Sequence, residues 1–171
     1  MLDSQELFSG HGIRVTLDTA ELPDGVRKTT ARAHRPDVVH ILAFTADEKI
    51  LLLREYRPFY AAHVWMLPSG HIDKESDPDT AAQRELQEET GYRAKTIECD
   101  CVTDVAERLV TRNFFYIARD LVPDPLPQDD DERIEVHELT LPEALRKVQE
   151  SPHRHLPSEA AILRFLHSQK A

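Results

Sequence analysis

The chain has 171 residues, of which 40% are hydrophobic and 30% charged, a balance typical of a globular domain with a substantial core. Its formal net charge of −10 opposes binding to DNA or RNA, and no apolar run reaches the roughly 20 residues that cross a bilayer. No secretory signal pattern opens the chain, so we expect one domain over residues 1–171 in the cytoplasm, without nucleic-acid or membrane partners. An anionic small molecule stays compatible with this charge if local cations or a metal ion reverse its sign.

A hairpin is predicted near the N-terminal end. Ile13, Val15 and Leu17 alternate with polar residues, which is typical of a strand with one buried face. Residues 22–25 (LPDG) predict a turn, because proline presets φ and glycine accepts a positive φ. We therefore expect antiparallel pairing within residues 12–34.

The next two strands are predicted to form the centre of a sheet. Residues 38–44 and 49–54 are mainly apolar, which favours strands that are covered on both faces. Residues 56–68, which carry Pro58 and Pro68, are expected to be a connecting loop.

The helix predicted over residues 78–90 has clear end signals. Asp77 is a favourable N-cap, Pro78 suits the first helical position, and Gly91 suits the position after the last turn. Strands are expected at residues 95–105, 113–119 and 134–139, and helices at residues 142–149 and 158–168. This alternation predicts an α/β or α+β domain.

Three glutamates share one side of the predicted helix. Glu85, Glu88 and Glu89 lie at i, i+3 and i+4, where like charges repel each other unless a cation is present. Oxygen-only ligands suit a hard divalent ion, and Mg²⁺, with Mn²⁺ as a possible substitute, fits best. Arg84 is placed to hold a carboxylate by charge-assisted hydrogen bonds. The alternative is an acidic helix face in contact with solvent.

The spacing of these residues resembles the Nudix box. The positions that match its pattern are Gly70, Arg84, Glu85, Leu86, Glu88, Glu89, Gly91 and Tyr92. The resemblance implies an α/β/α sandwich with a mixed central sheet. It also implies that Glu85 and Glu89 ligate the metal, that Glu88 and the Ser69 carbonyl assist, and that Arg84 orients the carboxylates.

Further segments look like the branch of ADP-ribose and nucleoside-diphosphate-sugar pyrophosphatases. They are residues 21–25, 38–44, 51–57 (LLLREYR) and 65–70 (WMLPSG). In that branch the stretch that matches residues 12–34 is an added antiparallel sheet, commonly exchanged between two subunits. The resemblance thus implies an N-terminal β segment over residues 1–36 and a homodimer.

Three residues are candidates for substrate binding. Arg57 suits phosphate or ribose oxygens because its planar fork makes paired hydrogen bonds. Its alternative role is a salt bridge, for instance with Glu55. Tyr56 and Trp65 are able to stack on a base, although a lone tryptophan is more often structural.

Some positions depart from the family pattern. Ser76 stands where the box has its first glutamate, and Met66 stands where the branch usually has one. The branch also tends to carry a proline about sixteen residues after the box, and residues 93–121 contain none. These departures weaken an assignment to ADP-ribose itself.

The expected reaction is hydrolysis of the pyrophosphate bond of a nucleoside diphosphate derivative, to a nucleoside monophosphate and a sugar phosphate. Related enzymes often take the base from a loop after the metal helix, and Asp130 or Glu132 matches that position as a proton acceptor. Two alternatives stay open: a non-catalytic or weakly active nucleotide-binding domain, suggested by Ser76, and a house-cleaning pyrophosphatase for nucleoside triphosphates or capped RNA.

Overall fold

Strands dominate the computed structural model, which describes residues 1–72, 77–128 and 133–169. The strands are β1 Asp3–Gly10, β2 Ile13–Glu21, β3 Arg27–His34, β4 Val38–Ala43, β5 Ile50–Arg57, β6 Ala62–Met66, β7 Ser69–His71, β8 Tyr92–Asp104, β9 Leu109–Val110, β10 Arg112–Pro123 and β11 Ile134–Leu139. The helices are α1 Pro78–Thr90, α2 Leu141–Gln149 and α3 Leu156–Ser168, with a 3-10 turn at Pro58–Tyr60. None of the described helices is long and apolar enough to span a membrane.

The central sheet is mixed, as expected. Its strand order is β7-β4-β10-β8, with β4 and β10 parallel and the other neighbours antiparallel. A second sheet pairs β11, β5 and β6. The N-terminal sheet orders β1-β2-β3-β9, so the predicted hairpin is confirmed by the antiparallel register of β2 with β3.

Alternate residues of β4 enter two hydrophobic cores on opposite faces of the central sheet, because successive strand side chains point to opposite sides. Val39 and Ile41 pack in one core with Leu86 of α1. Leu42 packs in the other core with Val148 of α2 and Ile162 of α3. Helices therefore cover both faces, which gives the expected α/β/α sandwich.

Helix α1 has the predicted boundaries. The Asp77 side chain accepts a hydrogen bond from the Thr80 backbone N–H at 3.0 Å, and Gly91 closes the helix with a left-handed φ of 78°. Both end signals act locally, so they could be read from the sequence.

The prediction of a connecting loop over residues 56–68 is wrong. Strand β5 continues to Arg57, and after the 3-10 turn β6 pairs with it antiparallel, with Leu53 opposite Met66 and Glu55 opposite Val64. Pro58 begins the 3-10 turn and Pro68 follows β6, so neither proline removes a hydrogen bond from the β5–β6 ladder. The hairpin carries Arg57 at the end of β5.

Candidate active site

The central cavity lies where β4 and β10 begin, beside β7 and α1. Its volume is about 440 Å³. The lining residues are Arg35, Val38, His40, Arg57, Ser69, Gly70, His71, Arg84, Glu85, Val105, Leu109, Thr111, Asn113, His155 and Pro157. The structure therefore brings together four predicted site residues: Arg57, Ser69, Arg84 and Glu85.

Gly70 and Glu85 both line this cavity and pack closely against each other. A Cβ atom built on Gly70 would lie 1.9 Å from Glu85 Cδ and 2.1 Å and 2.3 Å from its two carboxylate oxygens. Real atoms never approach so closely without displacement, so only glycine at this position leaves room for the carboxylate. The close approach explains in physical terms why the motif pairs this glycine with this glutamate.

Arg84 links two of the three glutamates on α1. Its Nη2 lies 2.8 Å from Glu85 Oε1, and its Nη1 donates to Glu88 Oε2 at 2.5 Å. Arg84 Nη2 also donates to the His71 backbone carbonyl at 3.3 Å, which ties the guanidinium to β7. The predicted orienting role of Arg84 is compatible with this geometry.

Glu89 is tied to the same strand by a different contact. The Ser69 backbone N–H donates to Glu89 Oε2 at 2.7 Å, and Glu89 is buried with 5% of its surface exposed. Ser69 thus lies between the buried carboxylate of Glu89 and the cavity. The Ser69 carbonyl is the group that the resemblance to the Nudix box implies as a further metal ligand.

The donor set fits a hard divalent cation. Glu85, Glu88 and Glu89 offer carboxylate oxygens next to the backbone of β7, and the space at Gly70 is filled by one of them. Within the described ranges, no three acidic, histidine or cysteine side chains already converge as a ready-made metal site. Arg84 contacts two of these carboxylates, those of Glu85 and Glu88.

A second cavity of about 850 Å³ adjoins the first. Arg35, Arg57 and His155 line both, so the two form one continuous surface region. Tyr56 lines the larger cavity together with the aromatic side chains of the 3-10 turn. Tyr56 is 43% exposed, and its ring meets His63 edge-on with centroids 5.3 Å apart.

Arg57 makes the salt bridge that was its alternative role. Its Nη2 lies 2.7 Å from Glu55 Oε2 and 3.3 Å from Met66 Sδ. The side chain nevertheless lines both cavities and is 42% exposed. The salt bridge and contact with a ligand are therefore compatible.

Trp65 is placed differently from the other candidates. Its ring packs against His137, with centroids 4.8 Å apart, and Lys147 Nζ lies 5.1 Å from the ring centroid. The side chain joins the hydrophobic core under α2 and is not among the described residues that line either cavity. This placement is the structural role that a lone tryptophan commonly has.

Two histidines, the buried His40 and the half-buried His155, form the inner wall of the central cavity. His40 Nε2 donates to Asn113 Oδ1 at 3.2 Å, and the ring centroids of His40 and His155 are 5.5 Å apart. Burial lowers the pKa of His40 to about 4. Burial, reinforced by His40 and Arg57, lowers the pKa of His155 to about 3. Both rings are therefore neutral near pH 7.

Three of the described arginines line the cavity: Arg35, Arg57 and Arg84. Two of them are paired with carboxylates, Arg84 with Glu85 and Glu88 and Arg57 with Glu55. The cavity therefore combines cationic groups that suit an anionic ligand with carboxylates that suit a cation.

Several site residues were missed by sequence reasoning. Arg35 sits just before β4, and Asn113 is the only asparagine of the chain. The one available signal was a polar residue inside an apolar strand, and His40 in residues 38–44 fits that description. The predicted bases Asp130 and Glu132, and Ser76 in the motif, lie outside the described residues.

A glutamate-rich helix beside an arginine-lined cavity, in an α/β/α sandwich, defines the class of the protein. The NUDIX domain pattern matches residues 33–160, and the chain belongs to the Nudix family. It is therefore a pyrophosphohydrolase, and enzymes of this family generally act with a divalent metal ion.

The chain is similar in sequence to two bacterial proteins and in structure to a third protein. The chain is 30% identical over 157 residues to a methanol dehydrogenase activator of Bacillus methanolicus, covering 87% of this chain and 82% of that protein. It is 30% identical over 153 residues to an ADP-ribose pyrophosphatase of Bacillus subtilis, covering 85% and 80%. A crystal structure of an ADP compounds hydrolase superposes with a TM-score of 0.81 at 24% identity, covering 98% of this chain and 94% of the other, which shows the shared fold.

Proposed function

We propose that the protein hydrolyses the pyrophosphate bond of ADP-ribose or a related nucleoside diphosphate sugar, releasing a nucleoside monophosphate and a sugar phosphate. The observation that carries this proposal is the central cavity itself, where Arg35, Arg57 and Arg84 face Glu85 at the start of the central sheet. A diphosphate bridge is the kind of ligand that such a combination of arginines and carboxylates suits.

The metal proposed for this site is Mg²⁺, with Mn²⁺ able to replace it. Glu85 and Glu89 are the proposed principal ligands, with Glu88 and the Ser69 carbonyl as further oxygen donors. When bound, the ion would neutralise phosphate charge and activate water as a Lewis acid. Arg84 would keep the carboxylates aligned through the contacts that it makes with Glu85 and Glu88.

The protein's own groups would then position and deprotonate the attacking water. Its oxygen attacks one phosphorus, the bridging P–O bond breaks, and the departing phosphate oxygen takes the electron pair. The proton is proposed to pass to Asp130 or Glu132, which lie outside the described residues. Arg57 and Arg35 would hold phosphate oxygens, since both line the cavity.

The base of the substrate is proposed to occupy the larger cavity. Tyr56 lines it, and Tyr60 stacks on His153 with ring centroids 3.7 Å apart. Aromatic surfaces of this kind suit a nucleobase. Trp65 has no part in the proposal because its ring packs in the core under α2.

A substrate panel tests the proposed reaction. With Mg²⁺, the protein should cleave ADP-ribose or nucleotide sugars faster than nucleoside triphosphates or capped RNA, and the products should be a nucleoside monophosphate and a sugar phosphate. Glu85→Gln should remove nearly all turnover, whereas Glu98→Gln, at an exposed position on β8, should leave it unchanged. Preferential cleavage of triphosphates would support the house-cleaning alternative and reject this one.

We also propose that the chain is a homodimer whose contact includes the N-terminal sheet. Leu7 and Phe8 of β1 are 53% and 51% exposed, an unusual position for large apolar side chains. Phe8→Asp should shift the protein from dimer to monomer in analytical ultracentrifugation, while Leu163→Asp on α3 should not. A wild-type protein that sediments as a monomer at all concentrations would reject the dimer.

A further inference from the structure

Glu55 is a buried carboxylate that lies next to a small hydrophobic core and also lines the larger cavity. It is 4% exposed and lies on the face of β5 that carries Leu53, opposite Val64 of β6. Leu53, Val64 and Met66 form a small hydrophobic core there. A charged group at such a position is rare and requires an explanation.

Stability alone does not explain this carboxylate. Burying the charge of Glu55 costs free energy of hydration, and well-packed apolar residues often stabilise a protein as much as a buried ion pair does. An apolar residue at position 55 would extend the core of Leu53, Val64 and Met66 without that cost. The benefit of Glu55 should therefore lie in what it does to its partner.

One partner of Glu55 is Arg57, the arginine at the junction of the two cavities. Arg57 Nη2 lies 2.7 Å from Glu55 Oε2 in an ion pair and 3.3 Å from Met66 Sδ, so the guanidinium lies between the carboxylate and the thioether. Arginine has a long, flexible side chain, and this pairing restricts it before any ligand binds. The restricted guanidinium lines both cavities.

We propose that Glu55 is a positioning residue that holds Arg57 ready to bind a phosphate of the substrate. This inference rests on the proposed function, because it assigns Arg57 a contact with the nucleoside diphosphate sugar. Glu55 itself acts through Arg57. Pre-ordering Arg57 would improve binding of the ligand more than the chemical step.

Met66 makes the proposal sharply testable, because methionine and glutamate have side chains of similar length. Met66 Sδ already lies 3.3 Å from Arg57 Nη2, so a carboxylate introduced by Met66→Glu would reach the same guanidinium. A carboxylate at position 66 on β6 should then be able to hold Arg57 in place of Glu55 on β5.

The experiment compares four proteins: wild type, Glu55→Gln, Met66→Glu and the double variant Glu55→Gln/Met66→Glu. For ADP-ribose with Mg²⁺, Glu55→Gln should raise KM roughly tenfold, the loss of about 1.4 kcal/mol of binding, with kcat changed much less. Met66→Glu alone should also bind more weakly, because two carboxylates would then crowd one guanidinium. The double variant should return to within roughly threefold of wild-type KM.

The matched control is Glu135→Gln, which breaks the exposed Arg54–Glu135 pair between β5 and β11. It should leave KM unchanged, since Arg54 lines neither cavity among the described lining residues. Thermal melts of all variants check that the proteins fold. Failure of the double variant to recover KM, with folding intact, overturns the positioning role.

The two proposals fail in different ways. If wild type cleaves no nucleotide sugar, the proposed reaction is rejected, and the role of Glu55 is then judged by calorimetric binding of ADP-ribose without metal. The same loss and rescue in affinity would support the positioning role there. Equal affinity of wild type and Glu55→Gln would overturn it.

Discussion

The Glu85 carboxylate occupies the space that a side chain at Gly70 would need, with Cδ only 1.9 Å from an ideal Cβ position. Gly70 lies on β7 and Glu85 lies on α1, so the contact fixes the helix against the edge of the central sheet. Glu85 is therefore positioned by packing against the backbone of β7 as well as by Arg84.

Gly70→Ala should disable the enzyme more than it destabilises it. The added methyl group must displace the Glu85 carboxylate, and a shift of about 1 Å in a catalytic group can cost roughly 10²-fold in rate. Overpacking should lower the free energy of unfolding by about 1–3 kcal/mol. Steady-state kinetics and urea unfolding measure the two effects.

Gly10→Ala is the control for Gly70→Ala. The nearest atom to its added Cβ is Phe8 Cζ at 3.3 Å, the end of a side chain that can move. Activity should stay near wild type in this control. Full activity of Gly70→Ala would show that Glu85 is not needed where the structure places it.

Metal binding should be visible as thermal stabilisation. Glu85, Glu88 and Glu89 repel one another on one helix side, and a cation bound to the folded state alone raises its stability. At a Mg²⁺ concentration of 100 times Kd, the gain is about 2.7 kcal/mol, or roughly 5–10 °C in Tm. A Glu85→Gln/Glu89→Gln variant should lose most of this shift, and Glu98→Gln should retain it. An equal shift in all three proteins would place the ion elsewhere.

Local signals explain which parts of the fold could be predicted. The N-cap of α1 at Asp77 and its end at Gly91 depend on residues within one turn, so sequence alone located them. Strand β6 was missed because its pairing with β5 is a tertiary property and two prolines flank the segment. Strand β1 lies within the N-terminal β segment expected over residues 1–36, but its bounds were not predicted, because nearly all of its residues are exposed and it has no burial pattern.

The residues of the candidate site also fall into two groups: those that a local pattern predicts and those that only the tertiary structure brings together. The spacing of Glu85, Glu88 and Glu89 could be read directly, because one helix determines their relative positions. Arg35 and His155 come from distant parts of the chain and meet only after the sheet and α3 have packed. Their contribution to the cavity depends on tertiary structure, and no local spacing indicates it.

Tyr56 should contribute to recognition of the base. Tyr56→Leu should raise KM for ADP-ribose by at least roughly fivefold, because base–aromatic stacking is worth about 1–3 kcal/mol, which corresponds to roughly 5- to 150-fold in affinity. Tyr56→Phe keeps the ring and should stay close to wild type. KM measured for both variants, with kcat as an internal check, separates stacking from chemistry. Equal KM values for Tyr56→Leu and Tyr56→Phe would exclude Tyr56 as the stacking surface.

The lowered pKa values of His40 and His155 should make the protein sensitive to acid. The pKa of His40 is lowered from 6.5 to about 4 in the folded state, so below pH 6.5 the unfolded chain takes up a proton that the folded chain refuses. The contribution of neutral His40 to the free energy of unfolding is therefore fully present above pH 6.5 and is lost as the pH falls toward 4. The His40 contribution to this loss is on the order of 3 kcal/mol.

His40→Val tests this source of acid sensitivity, because valine suits a buried strand and carries no titrating group. Between pH 7 and pH 4, urea unfolding should show a smaller fall in stability for His40→Val than for wild type, by about one proton of linkage. His11→Ala, at an exposed turn between β1 and β2, should follow the wild-type curve. Parallel pH curves for wild type and His40→Val would mean that His40 is not held neutral by the fold, and the acid sensitivity would then belong to other groups, such as His155 or the carboxylates.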